Sequence, residues 1–151
     1  MTKIEIYTDG ACSFNPGPGG WSFCIVKNNN VIHTAAEGLN YTTNNICELL
    51  AICNGLNYFI HNYPNENDIV VYSDSAYCVN GYNEWMDNWK RNGFLTAKKE
   101  PVKNREHWEE LLKYKAMKNK NIKILKIKGH SGNTYNSLVD RLAVDASKLL
   151  T

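Results

Sequence analysis

From residue 3 to 12 apolar and polar side chains alternate, which predicts a β-strand. Asn15-Pro16-Gly17-Pro18-Gly19-Gly20 is a turn, built from residues that set unusual backbone angles. Residues 21–27 and 31–38 read as two more strands joined at Asn28-Asn29-Asn30, an antiparallel meander. From Thr43 to about Asn62, the residues Ile46, Leu49, Leu50, Cys53, Leu56 and Ile60 recur at helical spacing. Residues 68–73 form an apolar strand, and the intervening helix implies a right-handed crossover and a parallel pair. Residues 75–92 predict short helices broken near Gly81, and a polar, lysine-bearing stretch from Gly93 to Val102 follows, ended by Pro101. Asn104 caps a helix through about Met117, residues 122–128 alternate as a strand, and residues 129–133 form a loop. A last helix runs to Leu150. The sum is an α/β chain: a five-stranded mixed sheet flanked by helices, in which functional residues gather at strand ends.

A chain of 151 residues is expected to form one domain over 1–151, with a real hydrophobic core. No apolar run approaches the ~18 residues of a membrane helix. The chain enters a strand at once, so neither a signal peptide nor an N-terminal binding module is expected. The five cysteines (Cys12, Cys24, Cys47, Cys53, Cys78) are odd in number, form no Cys-x-x-Cys and sit in apolar segments. They read as reduced thiols of a cytoplasmic protein.

Four acidic residues stand where solvation alone does not explain them. Asp9 and Asp74 stand where apolar strand runs end, and Glu48 and Asp140 lie inside apolar-periodic helices. If the two strands are neighbours, their ends converge, and clustered carboxylates repel unless a divalent cation joins them. Hard oxygen ligands suit Mg²⁺ or Mn²⁺. Such a site fits metal-assisted phosphodiester chemistry. Charge is unevenly spread: residues 1–89 hold two basic against nine acidic side chains, and residues 90–128 thirteen basic against four acidic. A basic arm beside an acidic site can hold a polyanion; the plainer reading is a solvated lysine-rich face.

Four blocks carry a family resemblance: Tyr7-Thr8-Asp9-Gly10-Ala11-Cys12 with Asn15-Pro16-Gly17-Pro18-Gly19-Gly20-Trp21 after it; Thr42-Thr43-Asn44-Asn45-Ile46-Cys47-Glu48-Leu49; Tyr72-Ser73-Asp74-Ser75; and Lys128-Gly129-His130-Ser131-Gly132 followed by Asp140-Arg141-Leu142-Ala143. In that order and spacing the chain resembles type 1 ribonuclease H, the bacterial kind with a basic protrusion, over nearly its whole length. The resemblance implies a ribonuclease H-like fold and endonucleolytic hydrolysis of the RNA strand of RNA–DNA hybrids, giving 5′-phosphate and 3′-hydroxyl products. It implies two Mg²⁺ ions per site, with Mn²⁺ possible, held by Asp9, Glu48, Asp74 and Asp140, and His130 as an accessory group in water activation or product release.

It further implies minor-groove contacts from Asn15, Asn44 and Asn45, ribose contacts from the backbone around Gly10, Ala11 and Glu48, and a DNA-strand phosphate pocket at Thr43 and Asn104. The segment 82–105 resembles the protrusion, with Trp85, Trp89, Lys90, Arg91, Phe94, Lys98 and Lys99. Structural roles stand beside these: Asn15 in a turn, Asn44 at a helix start, Asn104 as a cap, and core packing for at least one of Trp85 and Trp89. Two positions depart from the family pattern: Ala76 replaces a frequent Gln, and Ser137 replaces the usual Glu before the last Asp. The expected protein is a monomeric enzyme. The rivals are a module that holds hybrids without cutting and a DNA nuclease of the same fold.

Overall fold

The computed structural model describes residues 3–127 and 133–149. Strands β1 (Ile4–Cys12), β2 (Gly17–Lys27) and β3 (Asn30–Thr42) form the expected meander. Helix α1 (Asn44–Asn62) leads to β4 (Asp68–Ser73), and β5 (Asn121–Lys126) completes a five-stranded sheet in the order β3-β2-β1-β4-β5. β4 pairs in parallel with β1 on one side and β5 on the other. Helix α4 (Arg105–Lys115) and the terminal helix α5 (Thr134–Lys148) complete the chain.

Strand alternation sorts the core onto two faces. Ile4 and Ile6 of β1, Phe23 and Ile25 of β2, and Ile69 and Val71 of β4 pack with α1 and α4 in the larger core. Tyr7, Cys24 and Val26 point the other way, onto Val139 of α5. Among the described residues, no helix is long and apolar enough to cross a membrane.

Between β4 and α4 the prediction of a break near Gly81 is corrected. Helices α2 (Ala76–Asn80) and α3 (Met86–Asn92) are joined by a π-helical turn over Gly81–Trp85, so the helical path continues. Gly81 serves packing instead: a Cβ there would fall 2.1 Å from the ring of Trp108, which is fully buried. The π turn also guards the sheet edge, because the Tyr82 hydroxyl and the Asn83 amide donate to the carbonyls of Ile122 and Ile124 in β5.

Candidate metal centre and nucleic-acid interface

The strand register assembles the acids. In the parallel β1–β4 pair Tyr7 stands beside Tyr72, so the same register carried two residues further brings Asp9 beside Asp74. The Thr8 hydroxyl locks the strands just before that point, donating to the Tyr72 carbonyl at 2.8 Å. β1 is flanked there by an antiparallel and a parallel neighbour, which is where ligands collect in open sheets. Glu48 arrives from the first turns of α1, which passes so close to β1 that a Cβ at Gly10 would sit 2.7 Å from the Glu48 amide nitrogen.

One carboxylate oxygen from each of Asp9, Glu48 and Asp74 lies within 4.8 Å of the other two. Asp140, exposed on α5, stands outside this group of three but hydrogen-bonds toward Asp9 and raises its carboxyl. Asp9 and Glu48 are buried, and Glu48 Oε1 has no hydrogen-bond partner. Burial pushes the Asp9 carboxyl up to about 7, reinforced by the charge of Asp74 and by Asp140. Glu48 is raised well above the usual carboxylate range, first by burial and then by Asp9 and Asp74. An orphaned buried carboxylate oxygen amid like charges is unfavourable for the protein alone. A divalent cation would supply what is missing, and the all-oxygen donor set suits a hard ion such as Mg²⁺ or Mn²⁺.

Other predicted site residues fall around this centre. Gly10 and Ala11 are half-buried in β1 beyond Asp9, and the Gly10 amide donates to Asp9 Oδ1 at 2.9 Å. Asn44 and Asn45 are exposed in the first turn of α1, and Asn15 joins them: its Oδ1 accepts from the Asn44 amide at 3.0 Å. Thr43 is the N-cap of α1, its hydroxyl accepting from the Ile46 amide at 3.2 Å, which leaves its own proton to donate. His130 lies outside the described residues. The departures Ala76 and Ser137 are both exposed.

Contrary to expectation, Asn104 does not cap α4 with its side chain. It occupies the N-cap position of α4 but makes no side-chain cap bond, because its backbone is left-handed (φ 61°). Its amide donates instead to the Tyr77 hydroxyl at 3.1 Å, which also accepts from Trp108 Nε1 at 3.0 Å. Tyr77 thus organises this corner, and no periodicity or motif singled it out; only the tertiary contact reveals it.

The cation-rich segment divides in two. Lys90, Arg91, Lys98 and Lys99 are exposed, whereas Lys115 is tied to Asp87 and the Tyr82 carbonyl, and Lys120 to the carbonyls of Pro64 and Glu66. Phe94 is not an interface aromatic: it is buried, with the Arg105 guanidinium 5.1 Å from its ring centroid. Trp89 packs against the core and edge-on to Trp108, while half-buried Trp85 contacts Tyr77 and Trp89. Trp85, Trp89, Tyr77, Pro101 and Lys103 line a groove of about 250 Å³.

A sequence model of the family described as RNase H matches residues 1–148. The chain belongs to the RNase H family. It is 45% identical over 149 residues to a ribonuclease H of Acetivibrio thermocellus, covering 98% of this chain and 97% of that protein. A ribonuclease H of Legionella pneumophila (strain Lens) is 46% identical over 141 residues, covering 93% and 94%. The fold is similar to that of LC11-RNase H1 in complex with an RNA/DNA hybrid, with a TM-score of 0.78, 25% identity and coverage of 99% and 100%. The RNase H domain of PFV in solution superposes with a TM-score of 0.80 at 25% identity, covering 99% and 96%.

Proposed function

We propose that this chain is a type 1 ribonuclease H with a basic protrusion, hydrolysing the RNA strand of RNA–DNA hybrids endonucleolytically and leaving 5′-phosphate and 3′-hydroxyl ends. The observation that carries this reading is the convergence of Asp9, Glu48 and Asp74, with Asp140 beside them, in a chain of the RNase H family. These four carboxylates would hold two Mg²⁺ ions, or Mn²⁺. Bound there, the cations supply Lewis acidity toward the scissile phosphate and a lowered pKa for the attacking water.

The protein's own part is positioning. Water attacks phosphorus and the bond to the 3′-oxygen breaks, so the RNA strand must lie over the acids. Backbone groups at Gly10, Ala11 and Glu48 meet the ribose hydroxyls, the mark that separates RNA from DNA. Asn15, Asn44 and Asn45 offer both donors and acceptors to the minor groove. Thr43 and Asn104 bind a phosphate of the DNA strand through the Thr43 proton and the second hydrogen of the Asn104 amide. His130 serves in proton handling. Trp85, Lys90, Arg91, Lys98 and Lys99 hold the duplex further along.

A module that only binds hybrids is disfavoured, since pure binding gains nothing from acids that repel phosphate. We take the enzyme to be a one-domain monomer, and its five free cysteines fit the reducing cytoplasm. The test is cleavage of single-stranded RNA, duplex RNA, duplex DNA and hybrid, with and without Mg²⁺. Hybrid-only, Mg²⁺-dependent cleavage supports the proposal; metal-independent cleavage, or equal cleavage of duplex DNA, overturns it.

A further inference from the structure

Phe14 carries two anomalies at once. The residue is 91% exposed, the most open of the large apolar residues described. Its backbone is left-handed, φ 62°, a conformation that a bulky side chain adopts only under strain. A folded chain gains nothing for itself by holding a solvated phenyl ring on a strained backbone.

The backbone that bears the ring is held in place. The Ser13 amide donates to the Pro18 carbonyl at 2.8 Å, closing the turn that bears Phe14. The Cys12 thiol reaches the Thr42 carbonyl at 3.4 Å, and Asn15 Oδ1 accepts from the Asn44 amide at 3.0 Å. A Cβ on Gly17 would stand 2.1 Å from the Ser13 carbonyl oxygen and 3.3 Å from the Phe14 Cβ, so the turn backbone is tightly closed. Phe14 is thus flanked by a tie to the end of β3 on one side and to the start of α1 on the other, where exposed Asn44 and Asn45 lie beside Asn15.

We propose that Phe14 is a substrate contact: an apolar edge laid against the sugars of the hybrid's minor groove beside Asn15 and Asn44. The inference rests on the reading of those asparagines as groove-facing. The minor groove of an A-like duplex is wide and shallow, and its floor and walls offer ribose carbon surface as well as hydroxyls. Minor-groove proteins commonly place apolar side chains among polar readers. The ring adds buried apolar area on binding without neutralising a phosphate.

The test is Phe14→Gly, with Phe14→Trp as rescue and Asn44→Ala as a separate probe of the groove reading. Glycine relieves the left-handed strain, so Phe14→Gly should keep Tm at or above that of the parent. Its KM for hybrid should rise by roughly five- to tenfold, with the salt slope of log KM unchanged because no phosphate contact is lost. Phe14→Trp should return KM to near the parent value. An unchanged KM in Phe14→Gly overturns the proposal. So does a matched fall of Tm and rise of KM in both Phe14 variants, which marks a purely structural residue. If Asn44→Ala leaves KM unchanged while Phe14→Gly raises it, the groove reading of the asparagines fails and with it the minor-groove placement of Phe14, although Phe14 still touches the substrate.

Discussion

The Ser22 hydroxyl donates a hydrogen bond to the Val139 carbonyl, tying β2 to α5. Ser22 is the cross-strand partner of Asp9, and Val139 immediately precedes Asp140. Two residues along β2, a Cβ on Gly20 would fall 2.5 Å from the Ala143 carbonyl oxygen. One strand therefore fixes both the height and the rotation of α5, and with them the approach of Asp140 to Asp9. Ser22→Ala should lower Tm by about 2–4 °C for a loss near 1 kcal/mol. It should also raise the Mg²⁺ concentration needed for half-maximal cleavage by roughly tenfold. A metal titration of hybrid cleavage checks this; an unshifted midpoint would show that Asp140 is placed without Ser22.

Asp74→Asn should abolish cleavage while the protein stays folded. Asp74 follows directly on β4 and one of its oxygens belongs to the three-carboxylate cluster. Removing a ligand forfeits several kcal/mol of transition-state stabilisation, a loss of roughly a thousandfold or more. Steady-state kinetics on hybrid, with circular dichroism for folding, decides the matter. Near-normal turnover would sink the four-acid assignment.

The raised carboxyls make the metal-free protein sensitive to pH. Asp9 titrates at about 7 when folded, against an ordinary value of 3.8. The folded state therefore binds the proton more tightly than the unfolded chain. Its contribution to stability is whole below about pH 4 and is lost as pH rises through about 7. Glu48 shifts in the same direction. Denaturant unfolding in EDTA should show stability falling between pH 4 and 7, and Asp9→Asn should flatten that fall. Saturating Mg²⁺ should restore stability most at pH 7–8, where the carboxylates are free of protons. A parent and an Asp9→Asn profile of equal slope would contradict the assignment.

How much of this was legible depended on the range of the interactions involved. β4 was readable to the residue, and α1 nearly so, because their apolar periodicity is strong and local. The edge strand β3 runs to Thr42, beyond the expected 31–38, because its ladder to β2 continues through Leu39 and Thr42 past a register shift that no alternation rule reveals. Asp9, Glu48 and Asp74 stood out because carboxylates are costly where they lie. Tyr77, Phe94 and Asn104 did not read correctly, since their roles are set by Trp108, Arg105 and a left-handed backbone.

Neutralising Lys90, Arg91, Lys98 and Lys99 together should raise KM for hybrid with little change in kcat. All four are exposed, whereas Lys115 and Lys120 of the same basic stretch are engaged internally. Each lost phosphate contact should flatten the slope of log K against log salt by about 0.7–0.9. The strand that is cut should not change, because the ribose contacts are proposed at Gly10, Ala11 and Glu48 and not at these cations. An unaltered KM and salt slope would mean that these cations form only a solvated face.

Tyr77 is expected to act as a positioning residue for Asn104. The Tyr77 hydroxyl accepts from both the Asn104 amide and the buried Trp108 indole. Tyr77→Phe keeps the edge-on ring contacts to Trp85 and Trp108 but removes the acceptor. The buried indole N–H then lacks a partner, which costs about 1–3 kcal/mol and should lower Tm by several degrees. The Asn104 amide, freed from its tether, should hold the DNA phosphate less well and raise KM. The decisive measurement is a double-mutant cycle with Asn104→Ala. If Tyr77 acts through Asn104, the double variant should share the KM of Asn104→Ala alone while keeping the lower Tm of Tyr77→Phe. Additive increases in KM would show that the two residues meet the substrate independently.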